Sequence, residues 1–460
     1  KEIVRVNRER GNARRESIRD AILQVKSSGM SAAEVQELID RIEIGPTLTA
    51  HPTEAKRKAV LDKLQSIAIS LAKHDLGPGL SDPLDANEEH LEQIERVLTT
   101  LWQTDEMRSM RLSVDEEVRN ALYFFERTIF DVVPWLYEDL GDALSEAFPG
   151  EAFRIPAFIK YRSWVGGDRD GNPNVTPEVT WSTLLAHRQQ ALELYLARVV
   201  QLRQELTQSV KLVAASPELL ARAEAADLPS KQKLRYAQEP YVLYLLDIEA
   251  RLRKTLEDEE GGLTSEGDLT EALHTVADSL RANGAASLCS KGMLPQLIWQ
   301  VESFGFHLAR LDVRQHSALH ERAVSEILRE GGVSADYKSL DEAARIALLT
   351  QELRNPRPIL PRDYSCSDEV RPVLDAFRVI ERSRHELASQ AIGTYVISMT
   401  HGISDILEAL LLAKETGLIR AHADGTIESQ LDFAPLFETI DDLQRSGTLM
   451  KQLFENEAYR

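Results

Sequence analysis

Apolar residues recur along most of the chain at the three- and four-residue spacing of amphipathic helices. The first clear case begins at Ser31, which together with Glu34 matches a capping box. Val35, Leu38 and Ile39 then follow at helical spacing. Further helices are predicted over residues 91–108, 115–137, 177–208 and 369–390. The pattern therefore indicates a protein that is predominantly α-helical.

Five segments depart from this helical pattern in one common way. Each is a short apolar run, followed by a polar or charged residue and then by a residue that caps a helix. This is the order of a strand-to-helix unit of an α/β barrel, in which catalytic groups gather at the carboxyl ends of the strands. The segments are 47–51 before Thr53, 155–165 before Thr176, 304–314 before Ser317, 395–400 before Ser404 and 433–438 before Thr439.

Five units are too few to close an eight-stranded barrel, so about three are missing. The helical pattern continues to Arg460. The sequence begins without a methionine, in a polar segment that also has a helical pattern. We therefore predict an α/β fold that is predominantly helical: a (β/α)8 TIM-like barrel embedded in many helices. About five of its eight strands are expected in this chain, which we expect to be truncated at both ends.

Three loops interrupt the helices, at residues 76–87, 256–268 and 355–363. None of them has the composition of a flexible linker between domains, and no repeat with a period of about 20–50 residues is found. Length alone suggests two or three domains, but an α/β barrel of this size can be one unit. We therefore treat residues 1–460 as one incomplete domain.

Composition narrows the classes of function. With 54 basic and 74 acidic residues, the net charge is −20, which disfavours nucleic acid and anionic lipid as partners. No apolar run approaches the roughly 20 residues of a membrane span. The cysteines, Cys289 and Cys366, lie far apart and form no metal-binding pattern. A disulfide framework and a zinc site are therefore disfavoured, and a reducing cytoplasm is favoured.

The first strand-to-helix segment ends at a histidine. Pro52 removes a backbone donor, so the strand ends there and His51 lies at its exit. The first turns of the following helix carry Lys56, Arg57 and Lys58, although a helix N-terminus favours anions. A bound phosphate or carboxylate would explain these cations. The alternatives are that the cations are solvated or paired with acids, and that His51 is structural.

The second segment leads into a loop, residues 166–176, that begins with two glycines. Paired glycines allow backbone conformations that are closed to other residues. Asp168, Arg169 and Asp170 crowd charged groups into this loop, but Pro173 stands where a calcium-binding EF-hand requires glycine. We interpret the three charged residues as a network that braces the rim of the barrel, with direct catalysis as the alternative.

Charged residues also end the third and fifth segments. Arg310, Asp312 and Arg314 alternate along the third, so they are expected on one strand face. Arg310 and Asp312 could satisfy each other, whereas Arg314, last on the strand, is best placed to bind an anion through its guanidinium. Glu438 follows an apolar run, and a carboxylate buried there would need a divalent cation or an arginine.

Six segments together resemble the phosphoenolpyruvate carboxylases of the bacterial type. They occur in the order of that family and at similar separations, across nearly the whole chain. The segments are 49–54, 102–106, 166–176, 311–315, 396–399 and 435–439. The resemblance implies that residues 1–460 form an incomplete phosphoenolpyruvate carboxylase domain, made of the N-terminal helices and the first part of the barrel.

The family joins phosphoenolpyruvate and bicarbonate to give oxaloacetate and phosphate. Bicarbonate attacks phosphorus, which gives carboxyphosphate and an enolate bound to Mg²⁺ (or Mn²⁺); carboxyphosphate then releases carbon dioxide, which the enolate captures. By resemblance, His51 matches the catalytic histidine of the second stage, and Arg314 and Arg57 match arginines that bind substrate. Glu438 matches a metal ligand, and Trp164 lies in the neighbourhood of the substrate.

Other features of the family are expected beyond Arg460: a second metal carboxylate in a Ser-Asp-Ser-rich loop with a catalytic lysine, a mobile arginine-and-glycine loop, and inhibitor-binding residues. Lys58 stands where the family usually has a second arginine, and lysine cannot copy the planar fork. The fragment is therefore expected to be inactive alone. The family also implies an allosteric, cytoplasmic homotetramer that replenishes the tricarboxylic acid cycle.

Two other interpretations stay open on the residues alone. One is a non-catalytic module that serves folding or assembly. The other is a different barrel enzyme that uses a divalent metal ion and an anionic substrate, such as a phosphohydrolase. The formation of oxaloacetate distinguishes a carboxylase from such an enzyme.

Overall fold

A computed structural model describes residues 14–49, 57–75, 83–105, 112–170, 172–361 and 364–460. The chain divides into two compact units, one made of Lys1–Leu48 and Ala121–Arg460 and the other of Thr49–Asn120. None of the helices in the described ranges is both long enough and apolar enough to cross a membrane.

Helices dominate both units, as the apolar pattern predicts. The larger unit contains most of them, while α3 and α4 belong to the smaller one. In chain order the helices are α1 (Ile18–Ser27), α2 (Ala32–Arg41), α3 (Lys58–Asp75), α4 (Pro83–Trp102), α5 (Val114–Phe124), α6 (Phe130–Ala147), α7 (Pro177–Glu205), α8 (Pro217–Ala225), α9 (Ser230–Arg235), α10 (Pro240–Leu256), α11 (Glu266–Ala282), α12 (Met293–Phe304), α13 (Ser317–Glu330), α14 (Glu342–Arg354), α15 (Arg371–Glu386), α16 (Ile403–Glu415) and α17 (Ile440–Glu455).

The predicted helix over residues 115–137 is longer and less regular than expected. A π-helical turn, Phe125–Ile129, separates α5 from α6, and α6 contains Pro134. Proline has no backbone N–H, so it leaves the carbonyl four residues earlier without its helical partner. That carbonyl, on Phe130, accepts a hydrogen bond of 2.7 Å from the side chain of the buried Gln300. The buried glutamine therefore replaces the bond that the proline removes.

The five predicted strands form one parallel sheet in sequence order. Parallel strands that follow one another in this way are typical of the wall of an α/β barrel. The sheet confirms the strands of the five segments, while the closed barrel stays a prediction. A separate antiparallel pair, β5 with β6, was not predicted. The strands are β1 (Thr47–Leu48), β2 (Arg162–Ser163), β3 (Arg310–His316), β4 (Ile392–Ser398), β5 (Ile419–Ala421), β6 (Ile427–Ser429) and β7 (Asp432–Pro435).

The third strand begins later than predicted. Residue Phe304 ends α12, and Gly305–His307 form a 3-10 turn, so the start predicted at residue 304 is wrong. A short apolar run fits a buried helix as well as a strand, and periodicity alone does not separate the two. Phe304 forms part of the helix rather than of the strand because it packs among aromatic rings. Its ring centroid lies 5.4 Å from that of Phe130 and 6.1 Å from that of Tyr161.

Two predicted caps lie one or two residues too late in the sequence. The N-cap of α13 is His316 rather than Ser317, because Nδ1 of His316 accepts a hydrogen bond of 3.1 Å from a backbone N–H. The N-cap of α16 is Gly402 rather than Ser404, because the carboxylate of Asp405 accepts from the backbone N–H of Gly402 at 3.0 Å. The caps Thr176 and Thr439 are confirmed: each hydroxyl accepts a backbone N–H.

The outer face of β4 packs against the surrounding helices. Tyr395 is fully buried, and its ring stacks on Phe377 with centroids 4.6 Å apart. Its hydroxyl lies 2.9 Å from Nε2 of His320. Burial lowers the pKa of His320 to about 3, so this histidine is neutral and belongs to the core. Asp312 and Arg314 of β3 lie on the opposite face of the sheet, because Val313, between them, pairs with Tyr395.

Glu408 is a carboxyl group buried among the helices. One of its oxygens accepts a hydrogen bond of 2.8 Å from the hydroxyl of Tyr337, and the other has no hydrogen-bond partner within the described residues. Burial raises the pKa of Glu408 well above its usual value, although the bond from Tyr337 opposes the shift. Asp405 and Glu321 raise it further, and Arg345 lowers it.

We expect the variant Glu408→Gln to gain stability relative to the wild type as pH rises. The folded-state pKa of Glu408 is raised, so its stabilising contribution is complete below the unfolded pKa of about 4.3 and is lost as pH rises through the folded pKa, at up to about 1.4 kcal/mol per pH unit. Glutamine is neutral at every pH and still accepts from Tyr337. Urea unfolding at pH 5 and pH 8 measures the difference.

The exposed Glu37 on α2 provides the matched control. The variant Glu37→Gln removes one negative charge from the surface rather than from the core, so it controls for the loss of charge. If Glu408→Gln differed from the wild type by the same free energy of unfolding at pH 5 and at pH 8, Glu408 would not be held as a neutral acid.

Candidate functional site

Two glycines bring the loop after β2 into close contact with its neighbours. Gly166 has a φ of +87°, and a Cβ there would lie 2.2 Å from Oγ1 of Thr183. A Cβ on Gly167 would lie 2.2 Å from the backbone carbonyl oxygen of Asp312 on β3. Only glycine fits both positions, since any side chain would displace a neighbouring element. The paired glycines therefore seat the loop directly against β3.

Beyond the glycines, the loop pairs with the end of β3. The N–H of Arg314 donates to the carbonyl of Gly167 at 3.0 Å, and the N–H of Arg169 donates to the carbonyl of Arg314 at 2.9 Å. These two bonds form an isolated parallel bridge between Asp168 and Arg314. The sheet is thereby extended past the end of β2, and the side chains of Asp168 and Arg314 are held side by side.

We expect Gly167→Ala to lower the free energy of unfolding by at least about 2 kcal/mol, because the new Cβ meets a backbone carbonyl that cannot move aside without shifting β3. Gly447 offers the opposite case: it lies inside α17, and a Cβ added there would meet nothing within 4 Å. Gly447→Ala should therefore stabilise the protein by about 0.5–1 kcal/mol. Chemical unfolding of both variants tests this, and a harmless Gly167→Ala would contradict the close approach.

Arg314 is the centre of a cluster of carboxylates at the carboxyl ends of the strands. Its Nε and Nη2 donate to the two oxygens of Asp168 at 2.7 and 2.9 Å, which is a bidentate pair. Its Nη1 lies 3.5 Å from Asp170 and 3.7 Å from Glu438. Burial opposes the charge of Arg314, but the bonds and charge of Asp168, with the charges of Asp170 and Glu438, raise its pKa above the usual value.

Trp164 covers the guanidinium of Arg314, which lies 5.0 Å from the centre of the indole ring. The indole Nε1 donates to the buried carboxylate of Asp312 at 3.2 Å. Asp312 also accepts from the N–H of Thr394 at 2.8 Å and from Arg162 at 3.4 Å. Burial raises the pKa of Asp312, although these bonds oppose the shift. Asp312 therefore holds the tryptophan in place.

Three of the residues predicted for the site, Trp164, Arg314 and Glu438, lie together in this cluster. Their roles stay predictions. His51 lies outside the described residues. Arg57 belongs to the smaller unit, where it immediately precedes α3 and its Nη1 lies 3.5 Å from the carbonyl of Asp105.

Arg310 and Asp312, which could have satisfied each other, have different partners in the structure. Asp312 is bound by the neighbouring strands, through Arg162 and Thr394, while Arg310 donates to Gln390 instead. Neither Arg162 nor Thr394 was singled out from the sequence. The only sequence signal for Arg162 is its charge within the second predicted strand, and that is a weak indication of this role.

The bracing role predicted for the loop agrees with the geometry. Asp168 is bound to Arg314, and Arg169 is buried, donating to Thr180 at 3.0 Å and to the carbonyl of Pro372 at 3.3 Å. Burial lowers the pKa of Arg169. The loop is therefore tied to β3 on one side and to the surrounding helices on the other.

Glu438 differs from the other carboxylates of the cluster in its exposure. Its side chain is 37% exposed, against 11% for Asp168 and 18% for Asp170. The cost of burying a carboxylate therefore does not arise for Glu438, and an arginine, one of the two compensating partners considered for it, lies beside it. An exposed carboxylate oxygen is a ligand that Mg²⁺ prefers, but the described residues include no group of three His, Cys, Asp or Glu side chains arranged to hold a metal ion.

The charged cluster lies at one edge of the parallel sheet. A parallel sheet in sequence order, surrounded by helices, carries its charged cluster where its strands end. That is the position of the active site in α/β barrel enzymes. An arginine flanked by an aromatic ring and by acids suits the binding of an anion together with a cation.

The chain belongs to the phosphoenolpyruvate carboxylase family, whose model matches residues 2–460. It is 40% identical to the phosphoenolpyruvate carboxylase of Rhodothermus marinus over 483 residues, covering 100% of this chain and 51% of that protein. The enzymes of Roseiflexus castenholzii and Azorhizobium caulinodans are each 38% identical, over 97% and 96% of this chain. The chain spans about half the length of the curated relatives that it matches.

Proposed function

We propose that the protein joins phosphoenolpyruvate and bicarbonate to give oxaloacetate and phosphate, and that this chain supplies part of the active site. The observation that carries the proposal is the cluster of Arg314, Trp164 and Glu438 at the strand ends. The family resemblance assigns substrate binding to the first two and metal binding to the third. Residues that come from three different strand-to-helix segments meet in one place.

Arg314 binds the phosphate of phosphoenolpyruvate in this proposal. Its Nη1 points toward the side on which Glu438 lies, and a charge-assisted hydrogen bond to a phosphate oxygen forms there. Trp164 keeps water from one face of the guanidinium, which strengthens the interaction. Glu438 would hold Mg²⁺ or Mn²⁺, and the bound ion would supply a Lewis acid that neutralises developing negative charge.

The reaction proceeds in two stages. A bicarbonate oxygen bonds to phosphorus while the bond from phosphorus to the enol oxygen breaks, which gives carboxyphosphate and the enolate. Arg314 offsets the negative charge that the transferred phosphoryl group carries. His51 then takes the proton of carboxyphosphate, which releases carbon dioxide and phosphate, and the enolate carbon bonds to carbon dioxide. The family resemblance assigns substrate binding to Arg57 as well.

The family resemblance also supports a cytoplasmic homotetramer under allosteric control. Phosphoenolpyruvate and bicarbonate are the proposed small-molecule partners. The measurement of subunit number, by analytical ultracentrifugation of the full-length protein, tests the tetramer independently of the chemistry.

Product analysis tests the proposed reaction. The full-length protein is supplied with phosphoenolpyruvate and Mg²⁺, with and without bicarbonate, and both oxaloacetate and phosphate are measured. We expect the two products in equal amounts and only with bicarbonate. Phosphate that forms without bicarbonate and without oxaloacetate would instead identify a phosphohydrolase, and the carboxylase proposal would be abandoned.

A further inference from the structure

The guanidinium of Arg314 has two unequal sides. The side formed by Nε and Nη2 is fully engaged, since both nitrogens donate to Asp168 at 2.7 and 2.9 Å. On the other side, Nη1 lies 3.5 Å from Asp170 and 3.7 Å from Glu438. These distances exceed the usual range of about 2.7–3.2 Å for a hydrogen bond. Nη1 is therefore attracted by two charges, without being tightly bound by either.

Asp168 is itself held firmly. Its side chain is nearly buried, and Oδ1 accepts from the N–H of Asp170 at 3.2 Å as well as from Nε of Arg314. The backbone bridge to β3 and the close-fitting Gly167 fix the loop on which it lies. A rigid carboxylate that grips two nitrogens of a guanidinium fixes the plane and the rotation of that group.

We propose that Asp168 is a positioning residue that orients Arg314, so that Nη1 alone is presented to the phosphate of the substrate. The inference rests on the proposed function and adds to it the direction from which the arginine binds. The substrate then meets Arg314 end-on, through one nitrogen, because the fork that arginine usually offers to a phosphate is already occupied by Asp168.

The charge of Asp168 allows an experiment to distinguish the positioning of Arg314 from the bracing of the loop. Asp168 offsets the charge of Arg314, so it weakens the attraction of the site for any free anion. Removing its charge leaves Arg314 more attractive to inorganic phosphate but free to rotate. Binding of a simple anion should therefore strengthen while turnover falls, which is a split that a loss of structure does not produce.

The test compares Asp168→Asn with the wild type in the full-length protein. We expect kcat to fall by about 10–100-fold, since small errors of orientation are costly to catalysis. Over the same change, the dissociation constant of inorganic phosphate, measured by calorimetry, should decrease. Asp170→Asn removes the same charge from the same loop without breaking the bidentate pair, so its phosphate affinity should rise while its loss of kcat is the smaller of the two.

Three results would overturn the positioning role: unchanged kcat in Asp168→Asn, unchanged or weaker phosphate binding together with lower kcat, or a variant that is unfolded at the assay temperature. The last two would make Asp168 a brace of the loop. The phosphate titration requires no turnover, so it remains decisive for Asp168 even if the wild type forms no oxaloacetate and the proposed function fails. Asp142→Asn, which removes an exposed acid paired with Lys291, controls for net charge.

Discussion

Arg314→Lys is expected to lower kcat/KM for phosphoenolpyruvate by at least about 100-fold, because one ammonium cannot replace a guanidinium that is gripped by Asp168 and covered by Trp164. Lysine keeps the positive charge, so the expected loss reports geometry rather than charge. Steady-state kinetics of the full-length protein, with phosphoenolpyruvate varied at saturating bicarbonate and Mg²⁺, measure it.

Arg310→Lys is the matched control, since Arg310 lies on the same strand and has the same side chain. Its partners are Gln390 and, at 3.9 Å, Glu43, away from the carboxylate cluster. We expect kcat/KM to stay close to that of the wild type, because neither partner of Arg310 belongs to the carboxylate cluster. Comparable losses in the two variants would mean that β3 is perturbed as a whole and that Arg314 has no special role.

Glu438→Gln should raise the Mg²⁺ concentration that gives half-maximal activity by at least about tenfold and lower the activity at ordinary magnesium. An amide oxygen carries no charge and binds a hard divalent cation more weakly than a carboxylate does. Titration of activity with Mg²⁺ gives the first measurement, and direct titration of Mn²⁺ binding by electron paramagnetic resonance gives one that does not depend on turnover.

Asp441→Asn serves as its control, because Asp441 is an exposed acid only three residues away, in the first turn of α17. It should leave the metal dependence as it is in the wild type. If Glu438→Gln also kept the normal metal dependence in both titrations, Glu438 would be only a charge partner of Arg314, from which it is separated by 3.7 Å.

Local sequence predicted two helix starts correctly and two others one or two residues too late. The hydroxyls of Thr176 and Thr439 cap their helices as expected, because a cap is decided by neighbours within three residues. The beginning of β3 could not be predicted in the same way. The apolar run that starts at Phe304 fits either a strand or a helix, and only the aromatic rings contributed by distant segments decide for the helix.

The members of the site were easier to predict than their partners. Arg314 and Glu438 stood out because each is a charged residue at the end of an apolar run. The pairing of Asp312 with Arg162 joins residues 150 positions apart, and the pairing of Arg314 with Asp168 joins residues 146 apart. Such pairs follow from the order of strands in the sheet, so they become visible only once the sheet is known.

A crystal structure of the full-length protein with Mn²⁺ and phosphoenolpyruvate, in the absence of bicarbonate, tests the central claim most directly. The account predicts a phosphate oxygen about 3 Å from Nη1 of Arg314, with Asp168 still bound to Nε and Nη2, and anomalous density for Mn²⁺ beside Glu438. Phosphoenolpyruvate and Mn²⁺ bound elsewhere, with this cluster unchanged, would contradict it.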